Sequence, residues 1–101
     1  TGGLWGGGEL ANKAATSFTS AQNMHGGMES TILSLNNIFY HWGSIIIPPG
    51  YTDPMIFESG GNPYGTSFAS GSGGSPVDEA TLRSARYQGF RLAYYADLLA
   101  R

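Results

Sequence analysis

Ala14-Ala15-Thr16-Ser17-Phe18-Thr19-Ser20, then Gly27 to Trp42, then Ser44-Ile45-Ile46-Ile47: these stretches decide the architecture. The first is built of small and β-branched residues suited to a crowded interior strand. The second carries Met28, Ile32, Leu35 and Phe39 at spacings of four, three and four, the period of an amphipathic helix. Gly43 follows where a helix-terminating glycine belongs. Ile45 to Ile47 reads as a buried strand, and Pro48-Pro49 ends it because proline cannot continue a ladder. Strand, helix and strand make one crossover unit, which implies an α/β fold with parallel strands and a right-handed connection. Parallel strands are buried on both faces and need neighbours. A chain of 101 residues with one such crossover and one further helix offers too few. It also opens in the Gly-rich run Thr1 to Gly8, so the expectation is of further chain upstream, with residues 1–101 forming part of one domain.

Outward from this unit, Gly2 to Gly8 reads as a loop and Glu9 to Lys13 as a turn into the first strand. Ala21 to Gly26 is a loop at that strand's carboxyl end. Pro49 to Ser75 is a long excursion rich in Gly, Pro, Ser and Asn, and loops of that length are functional or mobile. Ser75-Pro76-Val77-Asp78 is read as the start of the last helix, with Ser75 as cap, Pro76 at the first helical position, and Asp78 and Glu79 at the positive end. Leu82, Ala85, Gly89, Leu92, Ala96 and Leu99 form its expected buried stripe. A glycine inside a helix costs about 1 kcal/mol against alanine, so Gly89 suggests a close approach by another element.

With 41% hydrophobic and 13% aromatic residues the chain is globular. A net charge of −2 with five Lys and Arg leaves no basic stripe, which argues against nucleic acid or an anionic membrane surface as partner. The longest apolar run, Ile45 to Pro49, falls far short of the roughly 20 residues of a membrane helix. Without cysteine there is no disulfide, thiolate metal site or Cys nucleophile, which agrees with a cytoplasmic protein. The 16 glycines, about twice the usual share, cluster in loops and point to backbone approaching a ligand closely.

In open α/β sheets ligands sit outside the carboxyl ends of the strands. Three segments are expected to converge there: the Trp5 loop, the loop Ser20-Ala21-Gln22-Asn23-Met24-His25-Gly26-Gly27, and Pro48-Pro49-Gly50-Tyr51. The second runs into a helix N-terminus, whose free amides can bond ligand carbonyls or hold an anion. It has neither dinucleotide nor Walker spacing, and an ordinary helix-entry turn explains it equally well.

Gly2-Gly3-Leu4-Trp5, the Thr19-Ser20 to Gly26-Gly27 loop with Glu29 behind it, His41 with Gly43, Pro48 to Tyr51, Gly60-Gly61-Asn62-Pro63-Tyr64-Gly65 and Ala85-Arg86-Tyr87-Gln88-Gly89 occur in the order seen in the WrbA-type flavoproteins. The chain resembles the carboxyl half of these flavodoxin-like NAD(P)H:quinone oxidoreductases over essentially its whole length. It departs from them in a longer loop before Gly26 and in Met28, where glutamine is frequent. The resemblance implies a doubly wound parallel sheet and FMN as cofactor. It also implies two-step turnover: hydride passes from NADH or NADPH to the flavin, and a quinone then takes two electrons in the same pocket. Ser20, Ala21, Gln22, Asn23, Met24, His25 and Gly26 would contact the polar edge of the flavin. His41 would lie near flavin and substrate as the catalytic residue, and Trp5 and Tyr51 would wall the substrate pocket. A homotetramer with sites assembled between subunits is likewise implied.

Plainer readings stand beside these. Trp5 can plug an interface, His41 can cap the negative end of its helix, and His25 can be a simple loop residue. Neither histidine has the company of a metal site, Glu29 apart, and Ser20 with His41 lacks the elbow of a hydrolase. Tyr94 and Tyr95 read as packing or subunit contacts. The alternative to an enzyme is a flavin-binding electron carrier or regulatory module of the same fold.

Overall fold

The structure, a computed structural model, describes residues 2–101. Its elements in order are α1 (Gly2–Gly6), β1 (Ala14–Ala15), β2 (Thr19–Ala21), α2 (Met28–Trp42), β3 (Ile45–Ile46), α3 (Met55–Glu58), β4 (Ser67–Ala69) and α4 (Glu79–Leu99). All strand pairing is parallel. Ala14 faces Ile45 and Ala15 faces Ile46, while Thr19, Ser20 and Ala21 face Ser67, Phe68 and Ala69. The expected β1-α2-β3 crossover is present.

The first expected strand, Ala14 to Ser20, is interrupted. It forms β1 and β2 in separate two-stranded sheets, broken at Thr16 to Phe18, and β2 runs on to Ala21. The cause lies in the partner chain. After β3 the Ile47 amide still donates to Ala15 O, but the chain then leaves, and pairing resumes only where Thr19 donates to Thr66 O. The excursion from Pro48 to Thr66 thus splits one partner line into β3 and β4. At the break Gly65 crosses so close to the opposing chain that a Cβ there would lie 2.3 Å from Ser17 O and 2.9 Å from Ile32 Cδ1. Only glycine fits.

The side chain of Gln88, 3% exposed, bridges the break. Its Nε2 donates to Thr16 Oγ1 and to Ser17 O, each at 2.8 Å. Its Oε1 accepts from the Thr66 amide at 2.8 Å and from Thr66 Oγ1 at 2.7 Å. One amide therefore fills all four of its hydrogen-bonding positions where the ladder fails.

Helix α2 agrees with its expected bounds and stripe: Ile32 is fully buried, and Met28, Leu35 and Phe39 are half-buried. Gly43 is left-handed at φ 76°, with Gly43 N donating to Tyr40 O and Ser44 N to Phe39 O, a paired closure that satisfies the last carbonyls.

Four sequence expectations are corrected. Gly2 to Gly6 is a short helix rather than a loop, held against poor glycine propensity by Trp5 stacking on His41. The Pro49 to Ser75 excursion contains α3 and β4. The last helix begins at Glu79 and is capped by Asp78, whose carboxylate accepts from the Thr81 amide at 2.7 Å; Ser75 and Pro76 lie outside it. Its buried side is Thr81, Ser84 and Gln88, not the apolar stripe. Leu82 and Leu99 are exposed, and a Cβ on Gly89 would meet nothing within 4 Å. The polar residues are buried because the strand break and the excursion offer hydrogen-bonding groups, which only polar side chains can satisfy. Among the described residues no helix is long and apolar enough to cross a membrane.

Candidate functional site

The loop after β2 is the most constrained of the expected site segments. Asn23 Oδ1 accepts from the His25 amide at 3.0 Å, and Asn23 O accepts from Gly26 N at 3.1 Å, closing a tight turn. A Cβ on Gly26 would lie 2.7 Å from Ala21 Cβ and 3.1 Å from Asn23 O, so the turn requires glycine. Gly27, left-handed at φ 80°, then starts α2 without any side-chain cap. The first amides of that helix are thereby left for a partner from outside. Ser20 and Ala21 belong to β2, and Gln22 O holds Gly71 N at 2.6 Å, so the loop is tied to the segment after β4.

Beside this loop lies a cleft of about 620 Å³. Met24, His25 and the first turn of α2 line one side, Ser59, Gly60 and Asn62 another, and Ser67 to Ala69 with Asp78 and Thr81 the rest. Hydrogen bonds from the backbone and then the hydroxyl of Thr81 hold the Asp78 carboxyl below its ordinary value. Glu29 adds a second carboxylate to the lining. Among the described residues no cluster of His, Asp and Glu could hold a metal ion.

Trp5 and His41 are brought together: their rings stack with centroids 5.1 Å apart and planes 24° apart. They sit at the carboxyl end of α2, while the Ser20 to Gly26 loop sits at its amino end. The helix has 15 residues, which separates the two by about 21 Å at 1.5 Å per residue. The expected convergence of the Trp5 segment with the loop therefore does not occur within one copy of the chain. Tyr51 occupies a third place, on the excursion after β3, where it stacks on Phe57 at 4.8 Å with planes 4° apart and donates its hydroxyl to Gly61 O.

Sequence reasoning missed the stripe Thr81, Ser84, Tyr87, Gln88 and Arg91, which binds the excursion and the strand break. Ser84, 1% exposed, meets Ser59 Oγ at 2.7 Å and donates to Met55 O. The signal was available: polar residues recur at the helical period within one segment.

A parallel α/β unit with a glycine-constrained loop leading into an uncapped helix is the class of protein these features define, and such loops gather ligands at strand ends. No protein-family model matches the chain. Proteins named NAD(P)H dehydrogenase (quinone) do. The one from Deinococcus radiodurans is 51% identical over 87 residues, covering 86% of this chain and 42% of that protein. The one from Geotalea uraniireducens is 43% identical over 107 aligned residues, covering 100% and 52%. The one from Chromohalobacter salexigens is 40% identical over 105, covering 99% and 52%. The chain is similar to these proteins over most or all of its own length, and it spans about half the length of the curated relatives it matches.

The residues present fit the ring edge of a flavin. No side chain caps α2, so the amides of its first turn have no side-chain partner within the chain and are available as donors to the carbonyl oxygens of such a ring.

Proposed function

We propose that the chain is the carboxyl-terminal portion of a single flavodoxin-like, doubly wound domain in an FMN-dependent NAD(P)H:quinone oxidoreductase of the WrbA type, a cytoplasmic homotetramer. The observation that carries this reading is the 40–51% identity, over most or all of the chain, to proteins named NAD(P)H dehydrogenase (quinone). FMN, when bound, supplies the two-electron redox chemistry between nicotinamide and quinone.

The chain's own part is to position and to move protons. Amides at the start of α2, and those of the Ser20 to Gly26 loop that the Asn23 turn does not already use, hold the polar edge of the ring. Trp5 and Tyr51 present flat aromatic faces to planar substrates. Reduction of a quinone to a hydroquinone takes two electrons and two protons. A hydride brings both electrons and one proton, so one more proton must reach a quinone oxygen. His41, exposed and held in orientation by Trp5, is suited to deliver it. Because the Trp5–His41 pair and the flavin loop lie at opposite ends of α2, a complete pocket takes the pair from one copy and the loop from another, in keeping with an assembled tetramer.

The test is NAD(P)H oxidation by a benzoquinone on flavin-saturated, oligomer-matched protein. Trp5→Ala and His41→Ala are each expected to lower kcat/KM for the quinone at least tenfold while leaving flavin affinity within about twofold. Losses under about twofold in both variants, on the order of 0.4 kcal/mol, refute the site assignment. Absence of turnover in the unmutated protein refutes the activity.

A further inference from the structure

The excursion that carries Tyr51 is fastened to α4 at defined points. Arg91 Nε donates to Pro48 O at 2.9 Å, and its guanidinium lies 5.2 Å from the centroid of the Tyr95 ring, which holds it in place. Pro49 is fully buried, and Gly50 turns the chain at a left-handed φ of 56°. Thr52 Oγ1 donates to Pro49 O at 2.7 Å, closing the turn around Tyr51. The same Thr52 oxygen is 2.6 Å from the Tyr87 hydroxyl. A threonine hydroxyl has one proton, and here it goes to Pro49 O, so Tyr87 is the donor to Thr52. A directed chain thus runs from Tyr87 through Thr52 to Pro49. Tyr51 itself is fixed beyond the turn by Gly61 O and the Phe57 ring.

We infer that Tyr87, acting through Thr52, is a positioning residue that sets the aim of the Tyr51 ring and thereby the affinity for the quinone. The inference rests on the reading of Tyr51 as a wall of the substrate pocket. Tyr87 touches neither Tyr51 nor the substrate in this scheme; it fixes the turn from which Tyr51 projects. Its hydroxyl stabilises one turn geometry, and a ring held in advance binds a planar partner without first losing its own freedom. This also gives a purpose to the Ala85-Arg86-Tyr87-Gln88-Gly89 block beyond helix packing, since successive residues of it reach the turn and the strand break.

The test compares Tyr87→Phe, Thr52→Val, their double variant, Thr52→Ser and Tyr51→Leu in flavin-saturated protein. Quinone KM and kcat are measured, together with the dissociation constant for duroquinone and amide hydrogen exchange at residues 50–52. Tyr87→Phe and Thr52→Val are each expected to raise quinone KM and the duroquinone constant three- to tenfold with kcat within twofold. Their double variant should be no worse than either, and Thr52→Ser, which keeps the hydroxyl, should be within twofold of the unmutated protein. Exchange at residues 50–52 should quicken in Tyr87→Phe, Thr52→Val and their double variant, and not in Thr52→Ser. If Tyr51→Leu weakens quinone binding and Tyr87→Phe does not, the inference fails while the wall reading stands. If Tyr51→Leu leaves quinone KM and the duroquinone constant unchanged, the wall reading fails and takes the inference with it. A Tyr87→Phe variant that only melts lower, with KM unchanged, reduces Tyr87 to a structural role and overturns the inference.

Discussion

Replacing Gln88 by alanine removes the one side chain that joins the two halves of the interrupted strand ladder. Four hydrogen bonds of 2.7 to 2.8 Å are lost with it. Each is worth about 1 kcal/mol net when both partners can return to water. Here they cannot all do so, since Ser17 and Thr66 are 6% and 7% exposed. Ser17 O and the Thr66 amide are left buried and unpaired, at about 1–3 kcal/mol apiece, while the two threonine hydroxyls can turn to other acceptors. The expected loss is about 3–5 kcal/mol, a large part of the 5–15 kcal/mol that holds a typical domain together. Urea denaturation of the variant beside the unmutated protein measures it, and amide exchange at Thr19, which bonds Thr66 O, shows whether the break is where pairing opens. Gln88→Glu refines the test. Its carboxylate would set an oxygen against Ser17 O, and burial raises its pKa, whereas the protonated acid can donate to Ser17 O and accept from Thr66. A raised folded pKa means the stabilising contribution is complete below the unfolded value of about 4.3 and is lost as pH rises through the folded one. Gln88→Glu should therefore come closest to the unmutated protein near pH 4 and fall behind it at pH 7. A loss under 1 kcal/mol for Gln88→Ala, or a Gln88→Glu variant that tracks the unmutated protein from pH 4 to 8, refutes the bridging role.

Two further substitutions probe the neighbouring geometry. Asp78→Ala removes the acceptor for the Thr81 amide and should lower the melting temperature at pH 7. Because the Asp78 pKa is depressed from 3.8, that contribution is present above the ordinary value and lost as pH falls through the folded one, so the gap should narrow by pH 2.5; an equal gap at both pH values contradicts the capping assignment. Gly65→Ala places a methyl against backbone at Ser17 O and should cost about 2 kcal/mol or more, while Gly89→Ala, with open space around it, should stabilise the helix by up to about 1 kcal/mol; urea midpoints in the reverse order rule out this account of the two glycines.

The crossover was legible because α2 obeys a strict apolar period and ends at a glycine whose left-handed turn nothing else makes as easily. The strand β4 was not. Ser67-Phe68-Ala69 has three residues among Gly, Pro, Ser and Asn, and it exists because β2 supplies a partner 48 residues earlier in the chain, a relation no local pattern records. The error on α4 has a different origin. Apolar residues at the helical period were assigned to the interior, yet a second stripe, Thr81, Ser84, Gln88 and Arg91, runs at the same period and is the one that meets the sheet and the excursion. Periodicity identifies a helix; it does not say which of two stripes is turned inward when the opposing surface consists of unpaired backbone groups.

The same limit governs the site. Strand-end reasoning locates the Ser20 to Gly26 loop, because its glycines and the uncapped helix start are local features. It cannot locate Trp5 and His41, whose meeting depends on α1 folding back across the far end of α2. That pair stands half-exposed on a surface with an aromatic face and an imidazole, and the Ser20 to Gly26 loop lies a full helix length away. On the function proposed above, one chain would offer two incomplete halves of a pocket, each open to the outside. On that proposal they would form one pocket where two copies meet with the amino end of one α2 near the carboxyl end of the other, an arrangement a symmetric pair achieves by running those helices antiparallel and that lets every copy supply both halves.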